Sequence, residues 1–200
     1  MDQSHLPSLC EAYRDYFYIG AAVNEKTIRT HDELIRGQFN SITAENSMKF
    51  ESLQPAEGVY DFTLGDELVR YAGERGLRMR GHTMVWHNQT PDWVYKKDGA
   101  PASRALLLAR MEEHIKTVAE HFTNPYAWDV VNEAVDDREG GYLRSSEWHD
   151  LIGDDFIEKA FLFAGKYVKN GAKLFYNDYN ESVPDKCRKI CRLVRELKET

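Results

Sequence analysis

Strand-like and helix-like stretches alternate along the whole 200-residue sequence, and this alternation restricts the available folds more than any other feature. β-Type runs occupy residues 16–23, 40–44, 78–85, 127–132 and 173–176. Amphipathic patterns lie between them. After Asp61, the apolar positions Leu64, Leu68 and Tyr71/Ala72 recur until Arg75-Gly76 stops them. After Pro101 and a Ser103 cap, Leu108, Met111, Ile115, Val118/Ala119 and Phe122 form one helix face, with Glu112/Lys116 on another. Asn124-Pro125 ends that helix. Phe156, Ala160, Phe163 and Tyr167 mark a further helix after Asp154/Asp155, closed by Asn170-Gly171, and a last one follows Pro184.

Such a succession makes parallel strands joined by right-handed crossovers. A doubly wound sheet and a (β/α)8 barrel both satisfy it. The doubly wound fold wants a glycine-rich phosphate loop after its first strand, and here Asn24-Glu25-Lys26 stands there instead. Polar residues collect after every strand: Asn24, Glu45/Asn46, His82/Trp86/His87, Asn132/Glu133 and Asn177/Asp178. Chemistry spread over the C-terminal ends of many strands is how a barrel builds its site. The expected fold is therefore α/β, a (β/α)8 TIM barrel. Residues 1–200 are expected to supply about the first five βα units as one incomplete domain, with strands six to eight absent.

Composition removes several classes of function. With 42% apolar and 12% aromatic residues the chain can bury a core, which excludes disorder as its main state. The 33 acidic against 26 basic residues leave a net charge of −7 and no Lys/Arg cluster, so neither nucleic acid nor an anionic membrane is an expected partner. No apolar run approaches the ~20 residues of a spanning helix. Met1-Asp2-Gln3-Ser4-His5 lacks the basic and apolar regions of an export signal, so the expected compartment is the cytoplasm. Cys10, Cys187 and Cys191 read as free thiols, and neither a metal nor another cofactor is expected.

Three stretches carry candidate chemistry. In the first, Gly81-His82-Thr83-Met84-Val85-Trp86-His87-Asn88-Gln89-Thr90-Pro91, strand alternation puts His82, Met84 and Trp86 on one face and His87 on the other. An indole beside an imidazole suits a sugar, one packing on C–H groups and the other bonding hydroxyls. A core tryptophan with a satisfied histidine explains the same residues. In the second, Trp128-Asp129-Val130-Val131-Asn132-Glu133-Ala134, an apolar strand ends in an amide and a carboxylic acid, which suits a general acid beside a hydroxyl-binding group. A salt-bridged glutamate at a barrel mouth is the plainer alternative. In the third, Glu45, Asn46 and Lys49 lie close enough in sequence to bind several hydroxyls, although turn capping also accounts for Asn46 and Ser47. Tyr179, after the fifth strand, offers an aromatic platform. Glycosidic cleavage needs two carboxylates, and beside Glu133 only Glu45 presents itself, with an oblique geometry.

Taken together these stretches, with Gly20-Ala21-Ala22-Val23-Asn24 and Phe175-Tyr176-Asn177-Asp178-Tyr179-Asn180, resemble family 10 glycoside hydrolases, the endo-1,4-β-xylanases on a (β/α)8 barrel. The resemblance implies a retaining enzyme acting on xylan or xylo-oligosaccharides, of the intracellular type. It implies Glu133 as acid/base and Asn132 on the 2-hydroxyl of the sugar being cleaved. His82, Trp86 and Gln89 would wall that sugar, and Glu45, Asn46 and Lys49 would bind the next one on the non-reducing side. Tyr179 would stack on the leaving-group side. The family's nucleophile lies at the end of the seventh strand in a motif resembling Ile-Thr-Glu-Leu-Asp, which does not occur in residues 1–200. A non-catalytic xylan-binding remnant, or an assembly fragment that self-associates or pairs with a complementing chain through open sheet edges, is the alternative.

Overall fold

The computed structural model of the chain describes residues 7–199. Met1 to His5, which carry the expectation about export, lie outside the described residues. The main sheet contains five strands: β1 (Gly20–Val23), β2 (Ser41–Ala44), β3 (Arg78–Trp86), β4 (Ala127–Asn132) and β5 (Lys173–Asn177). All neighbours are parallel and hydrogen-bonded in strict chain order. That order decides between the two candidate folds. A doubly wound sheet reverses its order at a switch point, whereas a barrel adds each strand beside the last. The sheet is five-eighths of a (β/α)8 barrel.

Nine α-helices are present among the described residues. The long ones follow the periodicity, except that Leu64 at the start of the first is exposed. α5 (Thr63–Arg75) stops at Gly76, whose φ of 66° is the left-handed cap that glycine adopts freely. α6 (Arg104–His121) starts at Ser103, whose Oγ accepts from the Leu106 amide at 3.3 Å. It buries Leu107, Met111, Ile115, Val118 and Ala119. α8 (Phe156–Tyr167) buries Phe156, Ile157, Ala160 and Ala164, and α9 (Pro184–Glu199) begins at its proline. Short helices α1 (Leu9–Ala12), α2 (Glu25–Thr30), α3 (Asp32–Gln38), α4 (Phe50–Leu53) and α7 (Glu147–Ile152) escaped the periodicity. A helix of four to seven residues shows too few turns for a repeat to register. Of these, α2 had a local signal: Asn24 and Thr27 form a reciprocal capping box at its start.

The first strand is shorter than its composition suggests. Pairing begins at Gly20 opposite Ser41, and Tyr16 and Phe17 are exposed. Aromatic residues favour a strand only when a neighbouring strand covers them, and 16–19 have no ladder partner. Instead the Ile19 amide donates to the Asn40 side chain at 2.8 Å. Among the described residues no helix is long and apolar enough to cross a membrane.

His114 lies in the middle of the core, 1% exposed, stacked on Phe50 at 3.6 Å and bonded through Nδ1 to Gln54 Oε1 at 2.9 Å. Burial pushes its imidazole down to about 3 from the ordinary 6.5. The unfolded chain therefore takes up a proton below about pH 6.5 that the native chain refuses. The stability this residue contributes is complete above that pH and is lost as pH falls toward the native value. In urea titrations at several pH values, wild-type stability should fall below about pH 6.5 more steeply than that of His114→Gln, by about 1.4 kcal/mol per pH unit. Parallel curves would show that His114 is not buried neutral.

Candidate active site

Each strand delivers polar side chains as it leaves the sheet. Beyond β2, Glu45 accepts from Asn24 Nδ2 at 2.6 Å, and the chain then turns into α4. Lys49, at the head of that turn, is buried. Its ammonium donates to Asn46 Oδ1 at 2.9 Å and to Gln89 Oε1 at 2.6 Å, and lies 4.8 Å from the centre of the Trp86 ring. Burial lowers its pKa, while the carboxylates of Glu45, Glu133 and Glu51 pull it back up. One cation thus sits in the field of three acids. Gln89, with φ at 48°, is clamped from α4: Glu51 receives its side-chain amide at 2.9 Å and donates a backbone N–H to its carbonyl at 2.9 Å.

On β3, Gly81 is required by contact, since a Cβ there would lie 2.2 Å from the Trp128 ring. His82 Nδ1 meets Asp129 Oδ2 at 2.9 Å, and Arg80 Nε donates to the same carboxylate at 3.0 Å. With Nδ1–H directed at Asp129, Nε2 is left as the free face of the ring. Glu45, Arg80, His82, Asp129 and Asn177 line an open cavity of about 420 Å³ on the inner side of the sheet.

Strict alternation does not survive along β3. The ladder to β4 shifts register between His82 and Val85, and Thr83, Met84 and Val85 are all buried in succession. Met84 therefore does not join His82 and Trp86 at the site. His82 and Trp86 remain neighbours, 6.4 Å between ring centres. His87 is not sent away: its ring stands 6.0 Å from Trp86, and burial, then Arg144, lowers its pKa against the pull of Glu133, Glu147 and Asp178.

Glu133 directly follows β4 and takes a left-handed backbone, φ 56°. Its N–H donates to Asn177 O at 2.9 Å, its carbonyl receives Arg144 Nε at 3.0 Å, and its Oε2 receives the Trp86 indole at 2.9 Å. It is half-buried, at the rim and not in the sheet interior. Asn132 is buried and bonded to Asn177 at 2.8 Å. Tyr179 donates to Asp137 at 2.6 Å and accepts from Arg144 at 2.8 Å.

The fold thus gathers two hydrogen-bonded groups, Asn46–Lys49–Gln89 and Trp86–Glu133, joined by the Lys49 ammonium over the Trp86 ring, with His82 beside Trp86 and Tyr179 reached through Arg144. Glu45 is held on the flank by Asn24. Asp129, Arg144, Glu51 and Asp137 support the site without having been singled out in the sequence. Only Asp129 carried a signal, as a charge within an apolar strand. Among the described residues no group of three or more His, Cys, Asp or Glu is placed to hold a metal ion.

Residues 8–200 match Glycosyl hydrolase family 10. The chain belongs to that family. It is 49% identical over 195 residues to a β-1,4-xylanase of Dictyoglomus thermophilum, covering 97% of this chain and 54% of that protein. It is 47% identical over 195 residues to endo-1,4-β-xylanase A of Caldicellulosiruptor saccharolyticus, covering 96% and 57%. Among solved structures, xylanase XynB of Paenibacillus barcinonensis in complex with a conduramine derivative superposes with a TM-score of 0.94 at 46% identity, covering 98% of this chain and 60% of that one. TsXylA, an intracellular xylanase of Thermoanaerobacterium saccharolyticum, gives 0.93 at 44%, covering 98% and 64%, and a mutant of it has been solved with xylotriose. The chain spans a little over half the length of the relatives it matches. As a member of family 10 it has a hydrolase lineage and a barrel fold.

Asp129 carries the electrostatic load of this site, 3% exposed between Arg80 and His82. Asp129→Ala should strand the Arg80 charge and cost about 3 kcal/mol, read as a lower urea midpoint. A loss under about 1 kcal/mol would mean that the pair is worth no more than a surface one.

Proposed function

We propose that this chain carries the acid/base half of a retaining endo-1,4-β-xylanase site. The observation that carries the reading is the Glu133 carboxylate held at the strand ends by the Trp86 indole, among amide, ammonium and imidazole groups suited to sugar hydroxyls. Glu133 donates its proton to the glycosidic oxygen and, as carboxylate, then takes one from the attacking water. Asn132, His82, Trp86 and Gln89 surround the sugar being cleaved, and Glu45, Asn46 and Lys49 bind toward the non-reducing side. Tyr179 stacks on the leaving group. The xylotriose complex of the 44%-identical TsXylA mutant supports this substrate class, and that enzyme's intracellular description supports a cytoplasmic place.

A retaining mechanism requires a second carboxylate about 5–5.5 Å from the first. Glu45, tied to Asn24, is assigned to binding, and the nucleophile to barrel units beyond the fifth strand. Residues 1–200 then form one domain that is catalytically incomplete by itself. The outer edges of β1 and β5 pair with nothing among the described residues. Phe175 is partly exposed with the Arg80 guanidinium 4.8 Å from its ring. Such edges invite pairing with a complementing segment or a second copy. A non-catalytic xylan-binding role is the second reading, favoured by the intact Lys49–Asn46–Gln89 cluster.

The 200-residue chain should release no reducing sugar from xylo-oligosaccharides above background. Turnover that persists through purification and vanishes in Glu133→Ala would overturn this and place a nucleophile among these residues. Xylotriose should nevertheless bind weakly, with Kd on the order of millimolar because half the cleft wall is lacking. Ligand-observed NMR should show that binding lost in Trp86→Ala. Equal binding by the folded variant would remove Trp86 and its neighbours from the sugar wall.

A further inference from the structure

We propose that Tyr176, locked by the Asp178–Lys186 ion pair, is the positioning residue that fixes the backbone of Glu133. The inference rests on reading Glu133 as the acid/base, but its geometry stands apart from the substrate. At Glu133 the positive φ turns the chain off the β4–β5 ladder, so the next two amides have no strand carbonyl to meet. A side chain replaces that carbonyl. Tyr176 Oη accepts from Ala134 N at 2.9 Å and from Val135 N at 2.8 Å, and donates its own proton to Asp178 Oδ2.

The network closes on itself. Lys186 Nζ forms an ion pair with Asp178 Oδ1 at 3.1 Å, and the same ammonium donates to Val135 O at 2.6 Å and to Asp137 at 3.1 Å. The ammonium is therefore met by three oxygens, and each hydrogen-bonding position of the phenol has a partner. Lys186 and Asp178 have side chains only 2% exposed, and a pair so desolvated holds its geometry only when every remaining donor and acceptor is met. Burial and the adjacent Asp178 both push the Tyr176 phenol upward, keeping it a neutral donor. Lys186 belongs to the first turn of α9, so the seating of that helix and the conformation of Glu133 are mechanically joined. Neither Tyr176 nor Lys186 bonds the Glu133 carboxyl. Their effect runs through the peptide that follows it.

The Trp86 indole N–H, bonded to Glu133 Oε2, is a reporter of that effect. In a proton–nitrogen correlation spectrum of the 200-residue chain, the four tryptophans give separate indole signals, and the one lost in Trp86→Phe is assigned to Trp86. Glu133→Gln defines the displacement produced by a changed acceptor. Tyr176→Phe and Asp178→Asn should move the Trp86 signal in that same direction. Tyr167→Phe, whose hydroxyl bonds Glu112 elsewhere, should leave it in place. An unmoved Trp86 signal in folded Tyr176→Phe overturns the proposal. If that variant does not fold, hydrogen exchange of the unmodified chain decides. Ala134 and Val135 amides protected like those of β4 support the relay, and exchange at loop rates overturns it. Xylotriose added to the wild-type chain separates the two readings. A Trp86 signal that follows Tyr176→Phe but ignores xylotriose leaves the relay standing and removes the sugar site. The opposite pattern removes the relay.

Discussion

Strand β4 sets the terms for everything around it. All six of its residues are buried, so both edges must be paired and both faces covered. β3 and β5 supply the edges. On one side Trp128 is accommodated only because Gly81 has no side chain to meet it. Asp129, a charge inside this strand, is tolerated because Arg80 and His82 both lean on it. The same strand, once it emerges from the sheet, delivers Asn132 and Glu133. A rigid, fully paired strand holds the residues at its end more precisely than a loop does.

The local chemistry is a balance between burial and opposite charge. Lys49 is desolvated, which disfavours its charge, yet three carboxylates surround it and Asn46 and Gln89 accept its protons. The result is an ammonium anchored by the protein itself. Little side-chain freedom remains to it. The left-handed conformations of Gln89 and Glu133 belong to the same arrangement, because strained backbone persists where neighbours over-determine it. Glu51 holds the first and the Tyr176 network holds the second.

Much of this was legible in the residues. The strands, the long helices and the polar set at each strand end could be read from hydrophobic period and turn chemistry, since both depend on neighbours a few positions apart. The same information misled where pairing intervened. Tyr16 and Phe17 look like a strand but lack a partner. The alternation through His82, Met84 and Trp86 breaks at a register shift that only the neighbouring strand imposes. Short helices such as α4 and α7 leave too few residues for a period.

The sequence by itself determined the class of fold, through βα alternation, and the candidate acid and sugar-binding groups, through their position after each strand. Tertiary structure alone decided the strand order, because sequential and reversed sheets share one local pattern. It alone brought Lys49 to Gln89, 40 positions away, and Trp86 to Glu133, 47 positions away. Arg144, Asp178 and Lys186 acquire their roles there too. A lone charged residue in a sequence is a solvated one by default, and its meaning changes only when folding removes the water and puts a partner in its place.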